Sequence, residues 1–109
     1  MKTFGRVITA MVTAFNQDGS VNIDGTIQIA NQLLDNGSDG ILICGTTGEN
    51  PTISPEDKLT LFKAVAEACA SKGTLIANVG SNNTRASVEF VKKVCSIPGI
   101  SGLLAVVPY

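Results

Sequence analysis

Four short stretches of this chain are almost unbroken in aliphatic residues: Val7 to Val12, Gly40 to Cys44, Leu75 to Val79 and Gly102 to Val107. Only Thr9 interrupts the first. A strand with one wet face alternates apolar and polar residues. A strand covered on both faces is apolar throughout, as in a parallel sheet. This pattern restricts the fold more than any other feature, because parallel strands need long crossovers to bring the chain back.

The segments in between read as those crossovers. Ile23, Ile27, Ala30, Leu33 and Leu34 form one stripe at helical spacing, and Asn36-Gly37 is a helix stop. A second helix opens with Ser54-Pro55-Glu56-Asp57. Ser54 suits the N-cap and Pro55 the first helical position, and the two acids lie at the positive end of the helix dipole. Its stripe is Leu59, Phe62, Val65, Ala66 and Cys69, ending near Lys72-Gly73. A third helix begins near Asn83-Thr84, carries Val88, Val91, Val94 and Cys95, and stops before Pro98-Gly99.

The order is β-α-β-α-β-α-β, with strand starts recurring at roughly 30-residue intervals. Such alternation predicts an α/β fold with right-handed crossovers. Two architectures fit: a small open sheet of the flavodoxin type, or part of a (β/α)₈ TIM barrel. A whole barrel takes about 250 residues. Residues 1–109 would then be the N-terminal part of a single barrel domain, three βα units plus a fourth strand. The sequence reaches Pro108-Tyr109 directly on leaving a strand, with no helix to cover it, which favours the partial barrel. Open edges at the first and fourth strands would promote self-association.

Composition removes several function classes. The net charge is −1, and the only adjacent basic pair, Lys92-Lys93, falls in a helix. No basic cluster is available for nucleic acid or an anionic membrane. No apolar run approaches the roughly 20 residues that span a bilayer. Val7 to Val12 is too short for a signal-peptide core, so a cytosolic location is expected. There is no histidine, which removes the commonest general base. Cys44, Cys69 and Cys95 are odd in number, far apart and without a C-x-x-C, and read as reduced, mostly buried thiols. No metal or cofactor is expected.

In parallel α/β folds the chemistry gathers at the C-terminal ends of the strands. Those ends read Thr13-Ala14, Gly45-Thr46-Thr47-Gly48-Glu49, Gly80-Ser81-Asn82-Asn83-Thr84 and Pro108-Tyr109. The Gly45-to-Glu49 segment carries the strongest signal. Its glycines let the backbone approach a ligand, and tandem threonines supply hydroxyls and N–H donors for a small carboxylate or phosphate, or for relaying a proton. A tight turn whose threonines satisfy local backbone groups is the competing reading. It is neither a P-loop nor a dinucleotide fingerprint. Gly80 to Thr84 is an anion loop at a helix start, or ordinary capping by Asn82, Asn83 or Thr84. Glu49 is an acid or base, or an acceptor that stabilises its loop. Lys58, Lys63, Lys72, Lys92 and Lys93 all fall in or beside helices at positions that read as exposed, and Lys2 is at the start. None is on a buried strand, where desolvation would prepare a Schiff-base nucleophile.

The ordered motifs resemble one family. Thr9-Ala10-Met11-Val12-Thr13-Ala14-Phe15, Asp18-Gly19 and Ile23-Asp24 resemble the opening of dihydrodipicolinate synthases, which usually have proline at the position of Ala14. Gly45-Thr46-Thr47-Gly48-Glu49 is similar to the family's signature loop. Gly80 to Thr84 and Val107-Pro108-Tyr109 match later segments in order and spacing, so the resemblance covers the whole chain.

The resemblance implies a TIM-barrel lyase of lysine biosynthesis, a homotetramer, in which pyruvate forms a Schiff base with a lysine and the enamine attacks aspartate semialdehyde. Thr47 would bind the pyruvate carboxylate. Thr46 would be the middle hydroxyl of a Tyr-Thr-Tyr proton relay. Gly45, Gly48 and Glu49 would scaffold the loop. The nucleophilic lysine and both relay tyrosines lie on later segments of the family pattern, so this chain alone is expected to be inactive. Asn82 and Tyr109 match part of a lysine effector site. Ala86 stands where lysine-sensitive members have an acid, and Lys58 where they often have histidine. The resemblance therefore implies insensitivity to lysine. Two other functions are weighed: a related pyruvate aldolase such as N-acetylneuraminate lyase, whose members tend to have serine at the position of Thr46, and a free-standing α/β module binding a small anion.

Overall fold

A computed structural model describes residues 4–107 of the chain. Its elements are β1 (Ile8–Ala10), α1 (Ile23–Asp35), β2 (Gly40–Ile43), a 3₁₀ turn (Asn50–Thr52), α2 (Pro55–Cys69), β3 (Thr74–Asn78), α3 (Thr84–Val94) and β4 (Gly102–Leu104). The four strands form one parallel sheet in the order β1-β2-β3-β4. That order separates the two architectures. A doubly wound sheet reverses direction at a switch point, so its first strand lies inside the sheet. Here each strand pairs with the next in sequence, as consecutive barrel strands do.

The helix starts follow local chemistry. Asn22 accepts from the Gly25 N–H, Ser54 from the Asp57 N–H at 3.1 Å, and Asn83 from the Ala86 N–H at 3.0 Å. Each cap satisfies one of the orphan donors of a helix N-terminus. All three helices lie on one face, α1 against α2 and α2 against α3. Between them and the sheet is the core. Ile41 and Ile43 of β2, and Leu75 and Ala77 of β3, meet Ala30, Leu61, Phe62, Val65, Cys69 and Val94, each at most 1% exposed. The register places Ile41 beside Leu75 and Ile43 beside Ala77, so one stripe per strand faces the helices.

The expectation of strands covered on both faces holds only in part. The opposite face carries Ile8, Ala10, Leu42, Ile76 and Leu104, and Ile8 and Leu104 are exposed. β1 and β4 are edges with a single paired neighbour, and they are shorter than the apolar runs around them, leaving Val7, Val12, Val106 and Val107 exposed. In α3, Val88 is 50% exposed, contrary to its assignment to the buried stripe. It lies roughly 120° around the helix from Val94 at 3.6 residues per turn. Phe90, Val91 and Val94 make the contact instead. Cys44 and Cys69 are buried free thiols, while Cys95 at the end of α3 is exposed.

Candidate functional site

The loop after β2 is wound around its own backbone. The Gly45 carbonyl accepts from both the Gly48 N–H (3.0 Å) and the Asn50 N–H (3.2 Å), and the Thr46 carbonyl accepts from the Glu49 N–H (3.0 Å). This tight path requires two left-handed residues that are not glycine, Cys44 at φ 59° and Glu49 at φ 62°. A non-glycine residue there costs about 1–2 kcal/mol, so other contacts must hold the turn.

Two long-range clamps do so. The Thr13 hydroxyl donates to the Gly48 carbonyl at 2.8 Å, and the Asn78 side-chain amide donates to the Cys44 carbonyl at 2.9 Å. Both side chains are buried, Asn78 at 1% exposure. One clamp comes from the end of β1 and the other from the end of β3, so the loop is pinned on either side. Gly48 is needed because a Cβ would lie 3.1 Å from both the Cys44 Cα and the Thr13 hydroxyl oxygen. Gly80 is under a stricter constraint, since a Cβ would come 2.6 Å from the Val106 backbone nitrogen.

Pinned in this way, the loop displays Thr46 and Thr47 at its crest, both exposed. Neither hydroxyl has a hydrogen-bond partner among the described residues. The local-turn reading, in which the threonines satisfy nearby backbone, does not describe this geometry; Thr13 and Thr52 fill that role. The two threonines also differ. Thr46 lines a cavity of about 230 Å³ together with Asn50, Lys58, Gly80, Ser81 and Asn82, and Thr47 does not. Glu49 acts through its backbone: its carbonyl accepts from the Thr52 N–H and hydroxyl, while its exposed carboxylate has no partner among the described residues.

The loop after β3 is a cap. Asn83, rather than Asn82 or Thr84, caps α3, and the Ser81 and Ser87 hydroxyls meet at 2.8 Å. Gly80, Ser81 and Asn82 nevertheless form a wall of the cavity. Tyr109 lies outside the described residues, as do Lys2 and Pro108.

Lys58 departs most from the sequence reading. Expected on an exposed helix face, it is only 9% exposed. It lines the cavity together with Thr46 and Asn50 of the β2 loop, and its ammonium is 5.9 Å from the Phe90 ring centre. Burial pulls its pKa below the ordinary value, and the nearby Cys44 thiol opposes that shift. Burial pushes the Cys44 thiol up to about 11, with the Lys58 charge pulling the other way. A helix-face lysine that turns inward leaves no periodic signal, which is why Lys58 could not be picked from spacing. Thr13 and Asn78 were likewise invisible as clamps, since their partners are distant in sequence. Among the described residues no three His, Cys, Asp or Glu side chains come together as a metal site, and no helix is long and apolar enough to cross a membrane.

Comparison with known proteins gives a consistent result. The profile of the dihydrodipicolinate synthetase family matches residues 3–109. A 4-hydroxy-tetrahydrodipicolinate synthase of Halalkalibacterium halodurans is 49% identical over 105 residues, covering 96% of this chain and 35% of the relative. The crystal structure of a dihydrodipicolinate synthase from Bacillus anthracis superposes with a TM-score of 0.94 at 38% identity, over 100% of this chain and 37% of that one. An N-acetylneuraminate lyase of Proteus mirabilis superposes with a TM-score of 0.84 at 27% identity, over 91% of this chain and 33% of that one. The chain thus spans about a third of the length of the curated relatives it matches.

Proposed function

This chain belongs to the dihydrodipicolinate synthetase family, and from that premise we propose that it is the N-terminal part of a lyase that condenses pyruvate with aspartate semialdehyde in lysine biosynthesis. The whole enzyme acts as a homotetramer in the cytoplasm, through a Schiff base between pyruvate and a lysine beyond this segment. The observation that carries this reading is the crest of the β2 loop, where two adjacent threonine hydroxyls are held out with no hydrogen-bond partner among the described residues. Thr47 grips the pyruvate carboxylate through its hydroxyl and backbone N–H, in the manner of backbone and side-chain donors that fix an anion. Thr46 passes a proton between two tyrosines of the complete enzyme. Both roles need the rigid scaffold that Gly45, Gly48, Glu49, Thr13 and Asn78 provide, since a shift of about 1 Å at a positioning group costs about 100-fold in rate.

In the full-length parent, Thr47→Val should raise KM for pyruvate more than it lowers kcat, and Thr46→Val should lower kcat. Equal, small effects on both constants would refute the division of roles. On the 109-residue chain, borohydride with pyruvate should leave the intact mass unchanged, because the described lysines lie on or beside α2 and α3 and none is on a strand. A covalent adduct would overturn the assignment of the nucleophile to a later segment.

The parent is also insensitive to lysine. Ala86 is exposed and offers only its backbone N–H to Asn83, so nothing at that position holds an ammonium, and the Lys58 charge repels one. Strong inhibition of the parent by millimolar lysine would refute this. The likeness to an N-acetylneuraminate lyase supports a second reading, a related pyruvate aldolase. Cleavage of N-acetylneuraminate by the parent, without turnover of aspartate semialdehyde, would favour it.

A further inference from the structure

We propose that the Asn36-Gly37 pair on the α1–β2 turn is a self-modifying site, where the asparagine converts without any enzyme to isoaspartate and thereby loosens the attachment of β1 to the sheet. The pair lies between the end of α1 and the start of β2, at the opposite end of the sheet from the β2 loop, so the inference does not depend on the proposed activity. Of the eight asparagines in the chain, only Asn36 precedes glycine. Any other residue in second place would shield the reacting nitrogen with its side chain. In the reaction the Gly37 backbone nitrogen attacks the Asn36 Cγ. The N–Cγ bond forms, the Cγ–Nδ2 bond breaks, and ammonia leaves with the backbone proton, closing a succinimide ring. Water then opens the ring. Attack at Cγ gives aspartate, and attack at the main-chain carbonyl gives isoaspartate, whose backbone runs through Cγ and is longer by one methylene. No oxidation or reduction is involved.

The turn leaves this nitrogen free. Where glycine ends a helix in the Schellman arrangement, both N–H groups after the cap bond back to the last turn. Here the Ser38 N–H does so, to the Leu33 carbonyl at 3.0 Å, whereas the Gly37 N–H has no hydrogen-bond partner among the described residues. Gly37, at φ 116°, has no atom within 4 Å of the place a Cβ would take, and both residues are exposed, so there is room for the ring. Little holds the native geometry against closure. Asn36 must rotate from its ψ of 25°, and the bond from its side-chain amide to the Gln32 carbonyl, at 2.7 Å, must break. Giving up one exposed hydrogen bond slows closure about 2- to 10-fold relative to an unfolded chain. The product alters what comes next along the chain. The Ser38 and Thr9 hydroxyls meet at 2.6 Å, and the Asp39 carboxylate accepts from the Arg6 and Val7 N–H groups at 2.8 Å each, so these two side chains fasten β1. An extra methylene just before them shifts both relative to α1. It comes with a carboxylate at the negative end of the α1 dipole, in place of an amide that satisfied a terminal carbonyl.

The test is an incubation of the 109-residue chain in mildly alkaline buffer, followed by proteolysis and mass mapping. Asn36 should gain about one mass unit and become a substrate for an isoaspartate-specific methyltransferase, at least about tenfold faster than any other asparagine. Gly37→Ala should slow the gain at least about tenfold, and Asn36→Gln, which would have to close a larger ring, should stop it. Circular dichroism of each variant shows whether the fold is kept. Asp18-Gly19 can close the same ring, but its carboxylate is held by the Ser20 N–H and hydroxyl, and its isomerisation changes no mass, so the mass gain reports asparagine alone. In the converted chain, exchange of the Arg6 and Val7 amides should accelerate about fivefold, the equivalent of one hydrogen bond. In Asn36→Asp, which carries the charge without the methylene, it should stay near the native rate. A faster gain at another asparagine, an equal rate in Gly37→Ala, or conversion only after unfolding in urea would overturn the assignment of the site. Unchanged Arg6 and Val7 exchange after conversion, or equal acceleration in Asn36→Asp, would overturn the link to β1.

Discussion

Thr13→Val removes one hydroxyl, which clamps the β2 loop and also acts on the Cys44 thiol, while valine keeps nearly the same shape. In the native chain the Thr13 hydroxyl donates to the Gly48 carbonyl at 2.8 Å, with Thr13 only 7% exposed. Valine leaves that carbonyl buried against a methyl group. An orphaned buried acceptor costs about 1–3 kcal/mol. If the cost falls on the loop alone, its opening equilibrium shifts by about 5- to 150-fold. Amide hydrogen exchange reads this directly, because the Gly48, Glu49 and Asn50 N–H groups are bonded within the loop. Their exchange should accelerate by that factor, while amides of Phe62 and Val65 in the core of α2 change far less. Thr13→Ser keeps the hydroxyl and should restore slow exchange. Unchanged loop exchange in Thr13→Val would refute the clamp. Equal acceleration throughout the chain would show that Thr13 supports the whole fold rather than this loop.

Four further outcomes follow from the structure. Glu49 holds a left-handed conformation with an exposed side chain that has no partner among the described residues, so Glu49→Gly should stabilise the chain by about 1 kcal/mol, read as a higher urea midpoint; a lower midpoint would mean that the carboxylate matters. Gly80→Ala places a Cβ 2.6 Å from the Val106 nitrogen and should separate β3 from β4, seen as faster exchange of the Val79 N–H that donates to the Leu104 carbonyl; retention of slow exchange would refute it. The Cys44 thiol is raised from 9.0 to about 11, so the folded state favours the protonated thiol. That contribution is complete below pH 9, declines as the unfolded thiol ionises, and is gone above pH 11, a loss of about 3 kcal/mol at most. Lys58 opposes it, since its lowered pKa makes the folded state relatively more favourable as pH rises toward 10.5. Urea midpoints between pH 8 and 10.5 should therefore fall more steeply in Lys58→Met than in the native chain, and less steeply in Cys44→Ala. Identical slopes would refute the coupling. In thiol labelling at neutral pH, Cys95 should react well before Cys44 and Cys69.

The sequence by itself determined what depends on neighbours along the chain. Apolar runs marked β2 and β3, stripes at helical spacing marked α1 and α2, and Ser54 announced the start of α2 from the identity of one side chain. The glycine and threonine string of the β2 loop was legible because its unusual composition is local. The tertiary structure decided what depends on residues brought together from afar. Strand order is a set of pairings between distant segments, and periodicity is the same in a barrel and in an open sheet. Thr13 and Gly48 are 35 positions apart, and Asn78 and Cys44 are 34, so neither clamp could be seen along the chain. Lys58 is the sharpest case. Its position on α2 reads as surface by composition, yet it is largely buried, sharing a cavity wall with the β2 loop and with its ammonium near Phe90 of α3. Burial and electrostatics belong to the space between elements, and that space exists only once the elements have packed.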